Sequence, residues 1–213
     1  MKIEKDTRFD SNAQQPWTLF PNVFPDGRGS FTEVLKSSDV PYLDIVKQIN
    51  RSVSRKGTFR GFHAQKAPFC QAKLVEALTM PIYDIVVDAR PDSKTFGKSA
   101  CYLLDPVVQN KVYVPHGFLH SFFVPDDGQP GDAVFMYYCD KMYDKASEVA
   151  VNPKSVLAEI LDDECNVELR EVLDPEKLVL SEKDLASQDF KTFMGNVKDK
   201  WLSTGKLWHL NAD

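Results

Sequence analysis

The chain has 213 residues, 26 basic against 31 acidic side chains, a net charge of −5 and a sequence pI of about 5.4. This length suits a single domain over 1–213, and an apolar fraction of 43% supplies a packed core, which excludes disorder as the main state. The acidic balance argues against a nucleic-acid partner, and no apolar run reaches the roughly 18 residues of a membrane span.

The N-terminal stretch MKIEKDTRFDSNAQQ lacks the apolar segment of a signal peptide. Short runs rich in Val, Ile, Tyr and Phe then recur: DIVKQIN (44–50), AKLVEAL (72–78), IYDIVVDA (82–89), SACYLLD (99–105), KVYVP (111–115), HSFFV (120–124) and AVFMYYC (133–139). Each is bounded by Gly, Pro, Asp or Asn, which predicts many short strands in a sandwich, jelly roll or small barrel. A parallel α/β fold needs amphipathic helices between its strands, and no helical period intervenes between 45 and 145. The polar loop VPDDGQPGDA (124–133) is long for a hairpin connection and is a candidate lid or partner contact. Beyond it the pattern changes. SVLAEILDDE (155–164) opens on a Ser and sets Val156, Leu157, Ile160 and Leu161 on one helical face. Ser181 precedes an acid three residues on, and Phe190, Phe193, Val197 and Trp201 recur at helical spacing. The expectation is a β-core over about 20–150 with a helical extension over about 153–213 lying against it.

Cys70, Cys101, Cys139 and Cys165 show no CxxC spacing and read as reduced thiols of a cytoplasmic protein. His63, in Arg60-Gly-Phe-His63-Ala-Gln65, and His120, in Pro115-His-Gly117-Phe-Leu-His120, resemble the two halves of the cupin signature, which implies a double-stranded jelly-roll barrel. Metal-binding cupins carry HxH and a downstream Glu; here Gln65 takes the second position and no Glu follows at short spacing. Two histidines and an amide make a poor first-row metal site, so the expectation is no metal and no cofactor, with a metal-dependent dioxygenase ranked last.

The ordered set Phe24-Pro-Asp-Gly-Arg28 to Glu33, Gln48-Ile-Asn50, Arg60 to Gln65, Lys73-Leu-Val75, Tyr83 to Arg90, Ser93 to Gly97 and Val114 to His120 resembles the dTDP-4-dehydrorhamnose 3,5-epimerase family. The tail resembles it at Leu180-Ser-Glu-Lys-Asp184. The resemblance implies a cofactor-free isomerase that inverts C3, C5 or both in a 4-keto-6-deoxy nucleotide sugar, on the way to L-rhamnose-type polysaccharide precursors. It implies His63 as base, Asp184 as its partner, Lys73 as stabiliser of the enolate and Tyr137 as acid on the opposite face. His120 is expected to line the pocket. Arg28, Glu33, Gln48, Asn50, Arg60, Tyr143 and Phe24 are expected to bind the nucleotide diphosphate, with dTDP placed ahead of GDP or CDP. The segment 24–33 is expected to complete a neighbour's site, which implies a homodimer with an exchanged N-terminal strand.

Each of these residues also has a plainer reading. A histidine among apolar strands is most often a satisfied core residue, Asp184 fits a helix cap with Ser181, and Lys73 faces outward if its strand slips by one. Arg28 and Glu33 fit a solvated turn. The alternative functions are a 3,4-ketoisomerase on the same scaffold and a sugar-binding cupin without catalysis.

Overall fold

A computed structural model describes residues 1–11, 14–36, 46–128 and 130–204, with the side chains of 165 and 199–204 left aside. The start of the expected strand at 44–50, His209 and the side chains of Cys165 and Trp201 lie outside the described residues.

Two antiparallel sheets face each other. One has six strands in the order β1 (Lys2–Lys5), β2 (Trp17–Phe20), β10 (Lys111–Val114), β7 (Lys73–Ala77), β12 (Ala133–Cys139) and β5 (Gln48–Ser54). The other has five, in the order β13 (Glu148–Ala150), β6 (Phe59–Gln65), β11 (Phe118–Phe123), β8 (Ile82–Asp88) and β9 (Ser99–Leu104). From β5 onward the chain passes repeatedly from one sheet to the other, which is the winding of a jelly roll. A separate hairpin, β3 (Asn22–Asp26) with β4 (Gly29–Glu33), pairs with neither sheet.

Period-2 alternation decides what each face carries. On the six-stranded sheet Val75 pairs with Val112 and with Tyr137, so these three share the inner face with Lys73 two residues along. Leu74, Tyr113 and Tyr138 share the outer one. Val75, Val86, Val112, Phe118, Phe122 and Phe135 are buried between the sheets as one core. The outer face of the five-stranded sheet, with Ile85, Val87, Leu119 and Phe123, is covered by the tail helices through Val156, Leu157, Ile160, Leu169, Phe193 and Val197. Burial of each such side chain is worth about 1.5–3 kcal/mol, and this fastens the extension to the β-core.

Helix α1 is Pro153–Ile160, with Asn152 as N-cap accepting from Lys154 N and Pro153 in the first turn. It therefore starts before Ser155, whose hydroxyl instead donates to Asn152 O and accepts from Phe190 N. The chain continues through α2 (Val167–Val172), α3 (Glu182–Leu185) and α4 (Phe190–Thr204). Strands β1 and β2 carry the sheet to before residue 20, and α2 is a helix that the periodicity does not single out.

One irregularity shapes the site. In the pairing of β11 with β6, His120 faces His63 but Phe122 faces Arg60, so the register shifts between them. Residues three apart on a regular strand point to opposite faces; this bulge lets Arg60 and His63 line the same cavity. Gly61 makes it possible. Its φ is +103°, and a Cβ there would lie 2.6 Å from His120 O and 2.9 Å from Ser121 Cβ.

Candidate active site

A cavity of about 650 Å³ opens between the sheets. Strand β6 contributes Arg60 and His63, β11 contributes His120 and Phe122, and these form one wall. Strands β7 and β12 contribute Lys73, Phe135 and Tyr137 to the other. The tail closes one side with Val179, Ser181, Lys183 and Asp184. It is held there by Val179, whose N–H donates to Gly57 O and whose carbonyl accepts from Phe59 N.

His63 and Asp184, 121 positions apart, meet at 2.7 Å between Nε2 and Oδ1. Burial alone would raise the Asp184 carboxyl; hydrogen bonds from His63 and Ser181 outweigh it and hold the group below its ordinary value. Asp184 is thus an acceptor, His63 donates from Nε2, and Nδ1 is the nitrogen left to take a proton. The Ser181 hydroxyl donates to Asp184 Oδ2 at 2.7 Å and also caps α3 by accepting from Asp184 N. The capping and the histidine contacts of Asp184 coexist.

His120 is hydrogen-bonded through Nε2 to Asp84 Oδ2 at 2.6 Å, and Asp84 is fully buried. The Lys73 ammonium, between β12 and β10 on the inner face, has no hydrogen-bond or ion-pair partner among the described residues. Burial lowers its pKa, while Cys139, Asp84 and Glu148 pull it back up. Burial raises the Tyr137 phenol, which keeps it protonated as a donor acid requires. Its neighbour Tyr138 points the other way and donates to Glu76 at 2.7 Å, so only Tyr137 enters the cavity.

The remaining expected residues lie elsewhere. Gln48 and Asn50 sit on β5 and bond to each other at 2.8 Å, and Gln48 Oε1 accepts from Tyr143 N. Tyr143 donates its hydroxyl to Glu148, which also holds Lys183 at 2.7 Å. Phe24, Arg28 and Glu33 lie on the β3–β4 hairpin, and none of them lines this chain's cavity. Arg28 is paired with Asp26 at 2.7 Å and Glu33 with Lys36 at 2.8 Å. Gln65 spends its amide on the backbone of Asp144, donating to its carbonyl and accepting from its N–H. No group of three or more His, Cys, Asp or Glu gathers among the described residues. In the 124–133 loop, Asp127 pairs with Lys56.

Sequence reasoning missed Asp84, Glu148, Ser181 as a donor, and Lys183. The first two sit inside strands next to ordinary strand residues, and only pairing brings them under His120 and beside Lys183. Ser181 and Lys183 were legible only as cap and solvated charge.

A sequence model described as dTDP-4-dehydrorhamnose 3,5-epimerase matches residues 11–192. A Shigella flexneri protein named dTDP-4-dehydrorhamnose 3,5-epimerase is 34% identical over 177 residues, spanning 80% of this chain and 88% of its own length. The crystal structure of an enzyme of that name from Elizabethkingia anophelis superposes with a TM-score of 0.73 at 33% identity, covering 90% of this chain and 97% of its own. A Legionella pneumophila dTDP-6-deoxy-D-glucose-3,5-epimerase, solved in complex with dTDP-4-keto-L-rhamnose, superposes with a TM-score of 0.73 at 26% identity over 92% of this chain and 96% of its own. A family model that spans most of the chain, a relative at 34% identity and the shared two-sheet fold agree, and the chain belongs to the dTDP-4-dehydrorhamnose 3,5-epimerase family, an isomerase family.

Proposed function

We propose that this chain inverts carbons flanking the ketone of a dTDP-4-keto-6-deoxy sugar by removing a proton on one ring face and returning one on the other. A C–H beside a carbonyl is weakly acidic, so the reaction needs a base, a stabilised enolate oxygen and an opposed acid. His63 Nδ1 takes the proton as the C–H bonding pair becomes the enolate double bond and the carbonyl oxygen gains the charge. Asp184 keeps the imidazole in one tautomer and offsets the positive charge it acquires. The Lys73 ammonium faces the oxygen at C4, where a fixed donor is typically worth about 3–4 kcal/mol of barrier. His120, fixed by Asp84, flanks the same oxygen. Tyr137 then delivers its proton to the opposite face of the carbon, and solvent restores both groups.

The observation that carries this reading is that His63 and Tyr137 belong to opposing sheets of one cavity, with Lys73, which has no ion-pair partner among the described residues, beside Tyr137 on its sheet. The Legionella relative's bound sugar nucleotide supports dTDP as the carrier. Arg60, in the cavity lining, supplies a guanidinium for the diphosphate, and Gln48, Asn50 and Tyr143 serve as further nucleotide contacts. The hairpin exposes Phe24, Phe31 and Val23, a surface suited to cover by a second copy, whose site Arg28 and Glu33 complete. The thiols of Cys70, Cys101 and Cys139 are free, in keeping with a reducing cytoplasm. No helix among the described residues is long and apolar enough to cross a membrane.

Incubation with the dTDP-4-keto-6-deoxy sugar in D₂O tests the assignment by locating deuterium at C3 and C5. His63→Ala is expected to slow exchange at the carbons it deprotonates by about 10²–10⁴-fold. Tyr137→Phe is expected to keep wash-in while losing net inversion, most at C5. Undiminished exchange in His63→Ala would sink the base assignment.

A further inference from the structure

Asp184 reaches His63 from a very short element. Helix α3 spans only Glu182–Leu185, a single turn that depends on its anchors to the rest of the fold. Upstream the segment is pinned at Val179 by two backbone bonds to Gly57 and Phe59; downstream, Asn152 Nδ2 donates to Leu185 O. Between these anchors one side chain touches the carboxylate itself. Ser181 Oγ lies 2.7 Å from Asp184 Oδ2 and 3.1 Å from Asp184 N. The hydroxyl accepts from the N–H with a lone pair and uses its only proton toward Oδ2, so both capacities of one oxygen converge on one residue. Asp184 is 4% exposed, and each of its oxygens has a side-chain partner: Oδ1 has His63 and Oδ2 has Ser181.

We propose that Ser181 is a positioning residue of the proton-transfer machinery, its hydroxyl fixing the rotation of the Asp184 carboxylate so that Oδ1 alone meets His63 Nε2–H. The three groups form a chain, hydroxyl to carboxylate to imidazole, in which Ser181 never touches the substrate's reacting carbon and acts only through Asp184. Without the hydroxyl, Oδ2 loses its anchor and the carboxylate swings about its Cβ–Cγ bond, and the imidazole loses part of its fixed orientation. Hydrogen bonding to the ionised form also keeps the carboxylate charged, which favours the imidazolium that deprotonation creates. The inference rests on the reading of His63 and Asp184 as the base and its partner.

A cap that only stabilises α3 and a donor that orients Asp184 make different predictions, because glycine caps a helix nearly as well as serine but carries no hydroxyl. Ser181→Gly is therefore expected to lower the melting temperature less than Ser181→Ala does, since it keeps the cap, and to lower kcat by about tenfold, with KM moving less than about threefold. Ser181→Ala is expected to lose both, and Ser181→Thr, which keeps the hydroxyl, to stay within about threefold of the parent kcat. The deciding measurement is the cycle with Asp184→Asn: if Ser181 acts through the carboxylate, Ser181→Gly adds no further loss in that background. Equal losses in both backgrounds, or an unchanged kcat in Ser181→Gly, overturn the proposal. If Ser181→Gly fails to fold, ¹⁵N spectra of the histidines in Ser181→Thr and Ser181→Ala carry the test: the His63 Nε2–H signal must persist in the first and weaken in the second. Failure of the underlying reading is separate and visible as isotope exchange that survives His63→Ala.

Discussion

Two lysines on neighbouring strands show how differently one charge can be treated. Lys111 is 1% exposed on the outer face of its sheet and is paired with Glu76 at 2.7 Å. Lys73 lines the cavity with no such partner among the described residues, and burial depresses its pKa. An unpaired ammonium taken from water costs stability, so Lys73→Met is expected to slow turnover by about 10²–10³-fold yet raise the melting temperature at pH 7 by about 3–6 °C. The sign follows from linkage. A lysine whose folded pKa lies below its unfolded value of about 10.4 imposes its full cost below the folded value and none above the unfolded one. The gain from Lys73→Met should therefore shrink as pH rises through that window in thermal melts. Lys111→Met is the control: it strands Glu76 and should destabilise by about 3–5 kcal/mol. Which way Lys73 points was not legible in AKLVEAL, because a slip of one residue reverses every side chain. Its register between Val114 and Cys139 settles it. Tyr137 against Tyr138 was a choice of the same kind, made by the same alternation.

At the scale of elements, strand β6 carries most of the catalytic argument and was the hardest to read. Arg60 and His63 are separated by an odd interval, which a regular strand would split between faces, and an arginine and a glycine interrupt the apolar pattern. The bulge at Gly61 reconciles them. Gly61→Ala puts a methyl against His120 O and Ser121 Cβ at a positive φ. The expected result is a loss of about 2–4 kcal/mol and a kcat reduced well beyond what stability explains, since straightening the strand moves either Arg60 or His63 out of the cavity. Parallel melts and steady-state rates check it; an active, stable Gly61→Ala enzyme would mean that the bulge is not needed. The apolar runs that became β7, β8, β9, β10, β11 and β12 were legible because each is buried on at least one face. The helices α1 and α4 were legible because their buried residues repeat at helical spacing. Strand β1, exposed at every position, and β13, three residues long, offer no pattern to read. The start of α1 was misplaced because Asn152-Pro153 is itself a helix-opening pair, and Ser155 within it looks like a cap.

For the molecule as a whole, the β3–β4 hairpin is the part that one chain leaves unexplained. Phe24 and Phe31 are 50% and 66% exposed, with ring centroids 6.3 Å apart. If Arg28 serves a neighbour's diphosphate, Arg28→Ala and His63→Ala should each be inactive alone and complement when refolded together. Half the dimers are then mixed and half their sites intact, so about a quarter of the parental activity should return. No recovery on mixing would argue that each chain uses its own hairpin or none. The tail that brings Ser181 and Asp184 to the site has a further consequence. A chain is made from its N-terminus, and the described strands of both sheets have all been made by residue 150, more than thirty residues before the carboxylate hydrogen-bonded to His63. The ribosome therefore releases every strand of the cleft before it releases the carboxylate and most of the helical cover of the five-stranded sheet. A chain cut short before the tail would lose Asp184 together with the helices that bury Ile85, Val87, Leu119 and Phe123, so it is expected to lose stability along with activity.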